Sequence, residues 1–294
     1  DGADRVRVSG ARGTPAPASY KVSATWSDGW RLLGTLMIGG HQAADKASRV
    51  GESILQRCTR LLRERDLPGF TETSLEVLGA ESTYGPHART GHSREVVLKL
   101  AAKHPQREAL ELLAREIAPS ATAMAQGITG FAAGRPSPSP VVRLFSFLIA
   151  QSRVVPRVSL DGQPLAFTPR QPTAQDQPPA APAEQPSATT PDGPTTRVPL
   201  LRLAHGRSGD KGDSSNVGII ARSAAAYAEL RRVLEAPVVA SYFSHVALGP
   251  VTRYELPGLL ALNFVMERAL GGGGVASLCY DPQGKAFAQM LLDL

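Results

Sequence analysis

Cysteine is scarce in this chain of 294: there are two, Cys58 and Cys279. They could pair with each other, but two thiols make no disulfide framework, and a reducing cytoplasm is the default reading. Aromatic residues are few at 5%, and none interleaves with the arginines of the densest basic stretch, Arg49 to Arg65, which argues against a nucleic-acid partner. Long apolar runs are absent too. The stretch VVRLFSFLIA, Val141 to Ala150, carries Arg143 and falls well short of the roughly 20 residues of a membrane-spanning helix. Three motifs are also missing: the nucleophile elbow G-x-S-x-G, the P-loop G-x-x-x-x-G-K-[ST], and G-x-G-x-x-G followed by a helix and a distal acid. Their absence removes sequence support for acyl-enzyme chemistry, for a nucleotide triphosphatase and for a dinucleotide fold. The opening DGADRVRVSG is neither a basic n-region nor an apolar h-region, so no signal peptide is expected, and Asp1 is expected to be an internal position of a longer polypeptide.

What is present is ordinary globular material, 42% hydrophobic with a net charge of +6, enough for two cores. The charge is uneven. Residues 1–167 hold 21 Lys and Arg against 15 Asp and Glu, whereas 168–294 hold 11 against 11. The densest basic stretch, RVGESILQRCTRLLRER, places Arg49, Arg57, Arg60, Arg63 and Arg65 around a helix whose Ile54, Leu55, Leu61 and Leu62 form the buried stripe. A solvated helix face is the expected role, with an anion site as the competing one. From Pro169 to Pro199 the chain has nine prolines, no aromatic residue and no Leu or Ile. Such a stretch cannot bury a core and reads as a semi-rigid tether. The division expected is therefore a domain over 1–167, a Pro-rich linker over 168–199 and a small domain over 200–294.

In the first domain, YKVSATW and WRLLGTLMI flank Asp28-Gly29, a hairpin signal. Next are expected a helix over about 42–65, strands near 75–78 and 96–101, a helix over 106–118 and a strand over 141–149. This β-α-β-β-α-β order is the split βαβ pattern. After the linker the reading is a strand (200–204), a polar loop, a strand (217–221), a helix (224–234), a strand (238–243), a helix (257–270) and a closing hairpin around DPQG. The fold class expected is α+β, with two split-βαβ, ferredoxin-like sandwiches joined by the linker. Gly271 to Gly274 then most simply cap the preceding helix, with a phosphate cradle as the alternative.

The run HGRSGDKGDSSN, His205 to Asn216, has no apolar face at period 2 or 3.6, and reads as a loop. It gathers two carboxylates around a lysine beside a histidine. Asp210 and Lys211 can hold each other ionised, glycines let backbone approach a ligand, and His205 suits proton transfer. His205, Asp210, Lys211 and Asp213 are the catalytic candidates, with Arg207, Ser214 and Asn216 as substrate contacts. The competing reading is a solvated loop whose aspartates bond their own backbone. A second cluster, AESTYGPHARTGHSRE, brings Tyr84, His87 and Arg89 into a loop that could bind an anion or carbonyl. His87 and His92 form only a weak metal signal, so no metal is expected. His245 and Arg253, in SYFSHVALGPVTRYELPG, read as a connecting loop.

The segments LRLAHGRSGDKGDSSNVGIIAR, LPGLLALNFVMERALGGGGVASLCYDPQGKAFAQMLLDL and TWSDGWRLLGTLMIGGHQAADKASRVGESIL together resemble the acyclic terpene utilisation (AtuA-like) family. GRSGDKGDSSN is the most specific element. The resemblance implies part of a large domain followed by a small ferredoxin-like domain, and a bacterial role in catabolism of branched acyclic terpenoids through acyl-CoA thioesters. It suggests a lyase or hydratase acting on a 3-hydroxy acyl-CoA, or else a non-catalytic assembly subunit. It names no cofactor and no membrane partner, it makes a small molecule such as an acyl-CoA the expected partner, and it leaves a homo-oligomer open.

Overall fold

The structure, a computed structural model, describes residues 16–168 and 196–294 together with Gly2, Asp4, Arg5 and Arg7. Most of the Pro-rich linker, residues 169–195, lies outside the described residues. The chain divides into two compact units, Asp1–Thr25 with Leu144–Pro182, and Trp26–Arg143 with Ala183–Leu294.

In the larger unit the first layer is built from β1 (Ser19–Gly39), α1 (Ala43–Arg63), β2 (Glu72–Leu78), β3 (Glu95–His104), α2 (Arg107–Ile117), α3 (Ser120–Ala123) and β4 (Ile128–Phe131). The sheet order β2-β3-β1-β4, antiparallel at every step, is the split βαβ arrangement. Helix α1 forms because Ala43, Ala47, Val50, Ile54, Cys58 and Leu62 recur at helical spacing, and that stripe packs on Leu36, Leu98 and Leu100 of the sheet. Arg49, Arg57, Arg60, Arg63 and Arg65 all keep contact with solvent, as a solvated face requires. Arg57 is paired with Glu116 at 2.5 Å.

Two expectations fail in this layer. Asp28-Gly29 makes no hairpin: β1 runs through it as one strand of 21 residues. Gly29, at φ 76, sits where β1 leaves β3, and a Cβ there would lie 2.9 Å from the His104 carbonyl oxygen. The second failure concerns the fourth sheet position, which is taken by the short β4, while the expected strand, β5 (Ser139–Ala150), pairs β1 instead. The boundary between the units falls within β1 and β5. The smaller unit continues with β6 (Val158–Leu160) and β7 (Gln163–Leu165). These are joined by Asp161 and Gly162, both at positive φ (50 and 79), the geometry that a two-residue type I′ turn demands.

The second layer of the larger unit contains β8 (Ala204–Lys211), β9 (Ser214–Ala221), α4 (Ala224–Val233), α5 (Ala236–Tyr242), β10 (Val251–Leu256), β11 (Ala261–Met266) and α6 (Phe287–Leu291). Its sheet order is β10-β11-β9-β8, antiparallel throughout, so the strands enter as two hairpins. The inward residues Val217, Ile219, Leu262, Phe264 and Met266 pack with Tyr227, Leu230, Val239, Phe243 and Phe287 from the helices.

Here the local reading misses more. The expected strand 200–204 is a single 3-10 turn before β8. The expected strand 238–243 is α5, started by Pro237 in its first turn, with Val239, Tyr242 and Phe243 buried at i, i+3 and i+4. The expected helix 257–270 is a 3-10 turn, Pro257–Leu259, followed by β11, whose Leu262, Phe264 and Met266 alternate inward. The closing hairpin is instead a turn leading into α6. Among the described residues no helix is long and apolar enough to cross a membrane.

Candidate functional site

The polar run is no loop. It forms the two strands of the β8-β9 hairpin, with Lys211 opposite Ser214 and a two-residue turn, Gly212-Asp213, made accessible by Gly212 at φ 69. Period-2 alternation then sorts the run between two faces. Ser208, Asp210 and Ser215 point inward, and His205, Arg207, Gly209, Lys211, Ser214, Asn216 and Gly218 lie on the outer face.

The inward groups serve the fold. Ser208 Oγ accepts from Ala288 N at 2.9 Å and donates to the Lys285 carbonyl at 3.2 Å, which fastens the edge strand to α6. Ser215 Oγ donates to the Gly209 carbonyl at 3.4 Å. Asp213, in the turn, accepts from Gly272 N at 2.7 Å through its carboxylate and from Ala269 N at 3.0 Å through its carbonyl. The glycine run Gly271–Gly274 therefore caps no helix; it folds against the hairpin turn. Gly271, Gly272 and Gly273 take φ 61, 96 and 86, and a Cβ on Gly273 would lie 2.7 Å from the Gly212 carbonyl oxygen. Asp210 comes to the same place from β8, its Oδ2 beside Gly274. The two aspartates thus meet the glycine run rather than the lysine, whose Nζ donates to the Asp210 carbonyl at 2.8 Å.

The outer face is different in kind. Across the sheet run the rows Arg207–Gly218–Asn263–Tyr254 and Gly209–Asn216–Val265–Thr252, with His205, Ile220 and Leu256 beside them. Gly209 and Gly218 leave a floor without side chains. Asn216 Nδ2 donates to Asn263 Oδ1 at 3.2 Å above it. Lys285, which the sequence did not flag, reaches over the sheet edge so that its Nζ lies 3.4 Å from where a Gly209 Cβ would be. Cations line one side of this face, and Ile220, Tyr254 and Leu256, all substantially exposed, line the other.

The second cluster lies on a 3-10 turn, Ser82–His87, anchored by Ser82 Oγ, which accepts from Val77 N at 2.6 Å and donates to the Val77 carbonyl at 2.9 Å. Glu81 accepts from Arg89 N at 2.6 Å and from Thr90, and the Arg89 amide holds its carboxyl below the usual range. Arg89 itself is exposed, and Tyr84 packs against the second-layer core. Tyr84 and Tyr242 are both pushed up, chiefly by burial and then by Asp293. The ring of His87 stacks on Tyr242 at 4.0 Å and its Nε2 donates to the Tyr242 carbonyl at 2.9 Å.

His245 does lie in the turn that connects α5 to β10, but it is partly buried rather than a surface residue. Its Nε2 donates to the Thr83 carbonyl at 3.2 Å and its buried Nδ1 has no partner. Gly85 is required opposite it, since a Cβ there would lie 2.5 Å from the imidazole. Arg253 donates to the carbonyls of Arg231 and Leu234 and pairs with Glu255 at 2.8 Å, bracing β10 against α4. Tyr84 and His87 are therefore gathered with His245, apart from the hairpin residues. Among the described residues no three His, Cys, Asp or Glu side chains gather to hold a metal.

A further set of groups, also missed in the sequence, holds the segment after the glycine run. Arg31 donates to the carbonyls of Val275 and Ser277, Lys99 donates to the Leu278 carbonyl, and Glu76 accepts from Tyr280 N at 3.1 Å. Lys99 is 4% exposed and bonded to Glu76 at 2.6 Å, a cross-strand pair repeated by Lys103 and Glu72. The signal was legible: Glu72 and Glu76 share the spacing of Lys99 and Lys103 on strands that turn out to be partners. A cleft of about 560 Å³ opens at the end of β1, β2 and β3, lined by Met37, Gly79 and Glu95 among others, and includes no hairpin residue.

The fold and these contacts define an α+β protein whose small sheet layer is tied to a split βαβ layer by backbone-directed cations. The chain belongs to the acyclic terpene utilisation family AtuA, which matches residues 1–160, and the AtuA ferredoxin-like domain matches residues 198–294. Its role accordingly lies in acyclic terpene utilisation. Comparison with curated proteins and with solved structures finds no match.

Proposed function

We propose that the chain is an enzyme of branched acyl-CoA breakdown, a lyase or hydratase on a 3-hydroxy acyl-CoA, whose substrate lies on the outer face of the β8-β9 hairpin. One observation carries this reading: strand alternation sets Arg207 and Lys211 beside Asn216 over the glycine floor of Gly209 and Gly218, with an aliphatic margin at Ile220 and Leu256. A thioester of a branched acid needs such a pair of environments, one cationic and one apolar. Both reactions place negative charge on the thioester oxygen as they proceed, and Lys211 and Arg207 are positioned to stabilise it. His205, on the same face, is the proton carrier. Asp210 and Asp213 hold the hairpin turn and the glycine run in place, and so position Lys211.

The experiment is turnover of branched 3-hydroxyacyl-CoA and enoyl-CoA thioesters by the whole chain. Arg207→Gln and Lys211→Ala are expected to abolish it while far-UV circular dichroism stays unchanged. Wild-type turnover in both variants ends the reading.

A second reading, a non-catalytic assembly subunit, is favoured by the use of Tyr84, His87 and His245 in packing. The linker would then raise the local concentration of the small layer. Cleaving within 168–199 should release it on gel filtration, and an association that survives cleavage at low concentration counts against this alternative.

A further inference from the structure

The outer face of the small sheet carries positive charge and nothing to neutralise it. Its outward residues on β8 to β11 include Arg207 and Lys211, and none of them is Asp or Glu. Lys285 adds a third cation, since its Nζ lies 3.4 Å from where a Gly209 Cβ would be, on that same face. No described residue accepts from the Arg207 guanidinium or from the Lys285 amine. Lys211 reaches only the Asp210 carbonyl. Elsewhere in the same layer Arg231, Arg232 and Arg253 each have a glutamate. Such a face suits an anion that is not part of the fold.

Lys285 is held more firmly than an exposed lysine need be. Its N–H donates to Asp281 Oδ1 at 2.8 Å and the next amide, Ala286 N, donates to Asp281 Oδ2 at 2.7 Å, while its carbonyl accepts from Ser208 Oγ at 3.2 Å. Gly284, at φ 61, brings the turn so close to β9 that a Cβ there would lie 2.6 Å from Ser215 Oγ. These contacts fix the root of the side chain against the edge strand and leave its tip free, which limits the ordering lost when a ligand is bound. Beneath the tip the floor is bare backbone at Gly209 and Gly218, and Asn216, opposite Gly209, sets an amide beside it.

We infer that Lys285 is the anchor for a phosphate group of the ligand, which lies over Gly209. Charge complementarity selects the group. Three cations without a carboxylate exceed what one carboxylate neutralises, whereas a phosphate monoester brings about two negative charges and three acceptor oxygens. Those oxygens meet ammonium and guanidinium donors that approach from different sides. Residues two apart on a strand are spaced by about 6–7 Å, so a phosphate over Gly209 leaves Arg207 and Lys211 within reach of other oxygens of the same molecule. The inference rests on the reading of this face as the ligand's, and adds to it that the ligand bears phosphate. For a branched acyl thioester that part is the coenzyme A portion, with Ile220 and Leu256 left to the acyl chain.

Isothermal titration calorimetry of the whole chain with free coenzyme A, and separately with the matching branched 3-hydroxy acid, tests this. Coenzyme A is expected to bind, and the acid to bind at least about tenfold less tightly. Lys285→Met should weaken coenzyme A about tenfold or more with unchanged circular dichroism, and Lys285→Arg should restore most of the loss. Gly209→Val, at a position without positive φ, keeps every charge but fills the floor, and should weaken binding too. No binding of coenzyme A, equal binding of the acid, or a Lys285→Met affinity equal to wild type would each overturn the inference. Failure of the catalytic reading looks different. Binding of coenzyme A that depends on Lys285, without turnover of the thioesters, defeats the proposed reaction alone, and turnover with KM unchanged in Lys285→Met defeats the anchor alone.

Discussion

The two halves of β1 are one strand with two fates. From Trp30 to Gly39 it pairs β3 residue by residue, and Leu32, Leu36 and Ile38 alternate into the core beneath α1. From Tyr20 to Asp28 no residue is buried. Backbone pairing is available to both halves; what differs is whether a helix lies over the side chains. The comparison shows that hydrogen-bonded strand geometry and stabilisation are separate achievements, and that the second depends on apolar area removed from water.

The largest test of this contrast is truncation on either side of it. Phe264→Ala, at a site with no exposure, should cost about 3–5 kcal/mol in urea unfolding. Phe145→Ser, at a site 57% exposed, should stay within about 0.5 kcal/mol. Equal costs would mean that this end of β5 is packed after all.

Lys99→Ala is next. It removes the partner of a largely buried Glu76 and frees the segment Val275–Tyr280, so a loss of about 3 kcal/mol is expected, with faster hydrogen exchange confined to that segment. Gly273→Ala should cost about 1–3 kcal/mol, because the residue must keep a positive φ and its new methyl meets the Gly212 carbonyl. A neutral result would show that the glycine run moves freely against the hairpin.

The smallest effect concerns Glu81. Its folded pKa is depressed, so the stabilisation is present above the ordinary carboxyl range and disappears as pH falls through the folded value. Acidification should therefore loosen the Ser82–His87 turn, seen as increased exchange at Arg89 and Thr90, and Glu81→Gln should remove the dependence.

How far each region could be read follows from where its information lies. The first layer was legible because periodicity in α1 and alternation in β1 to β3 coincide with the final packing. The second was not. VVASYF has the β-branched and aromatic residues of a strand, but Pro237 and the neighbouring layer make it α5, and the apolar run through Phe264 fits either period until β9 and β10 flank it. Two Asp-Gly pairs make the same point. Asp161-Gly162 turns a hairpin, and Asp28-Gly29 does not, because the residues beside it have separate partners in β3 and β5. In the polar run, the residue types were visible and their division between two faces was not.

By itself the sequence determined the α+β class, the helices and the central strands of the first layer though not its fourth strand, the solvated arginine face of α1 and the family motif, since these rest on local spacing and composition. Only the tertiary structure decided that GRSGDKGDSSN is a hairpin with Arg207 and Lys211 on one face and Asp210 on the other. It also decided that Gly271–Gly274 folds against the turn and that His87 meets Tyr242. Each of these depends on which segments become neighbours, and a strand shows two unlike faces only when something packs against one of them.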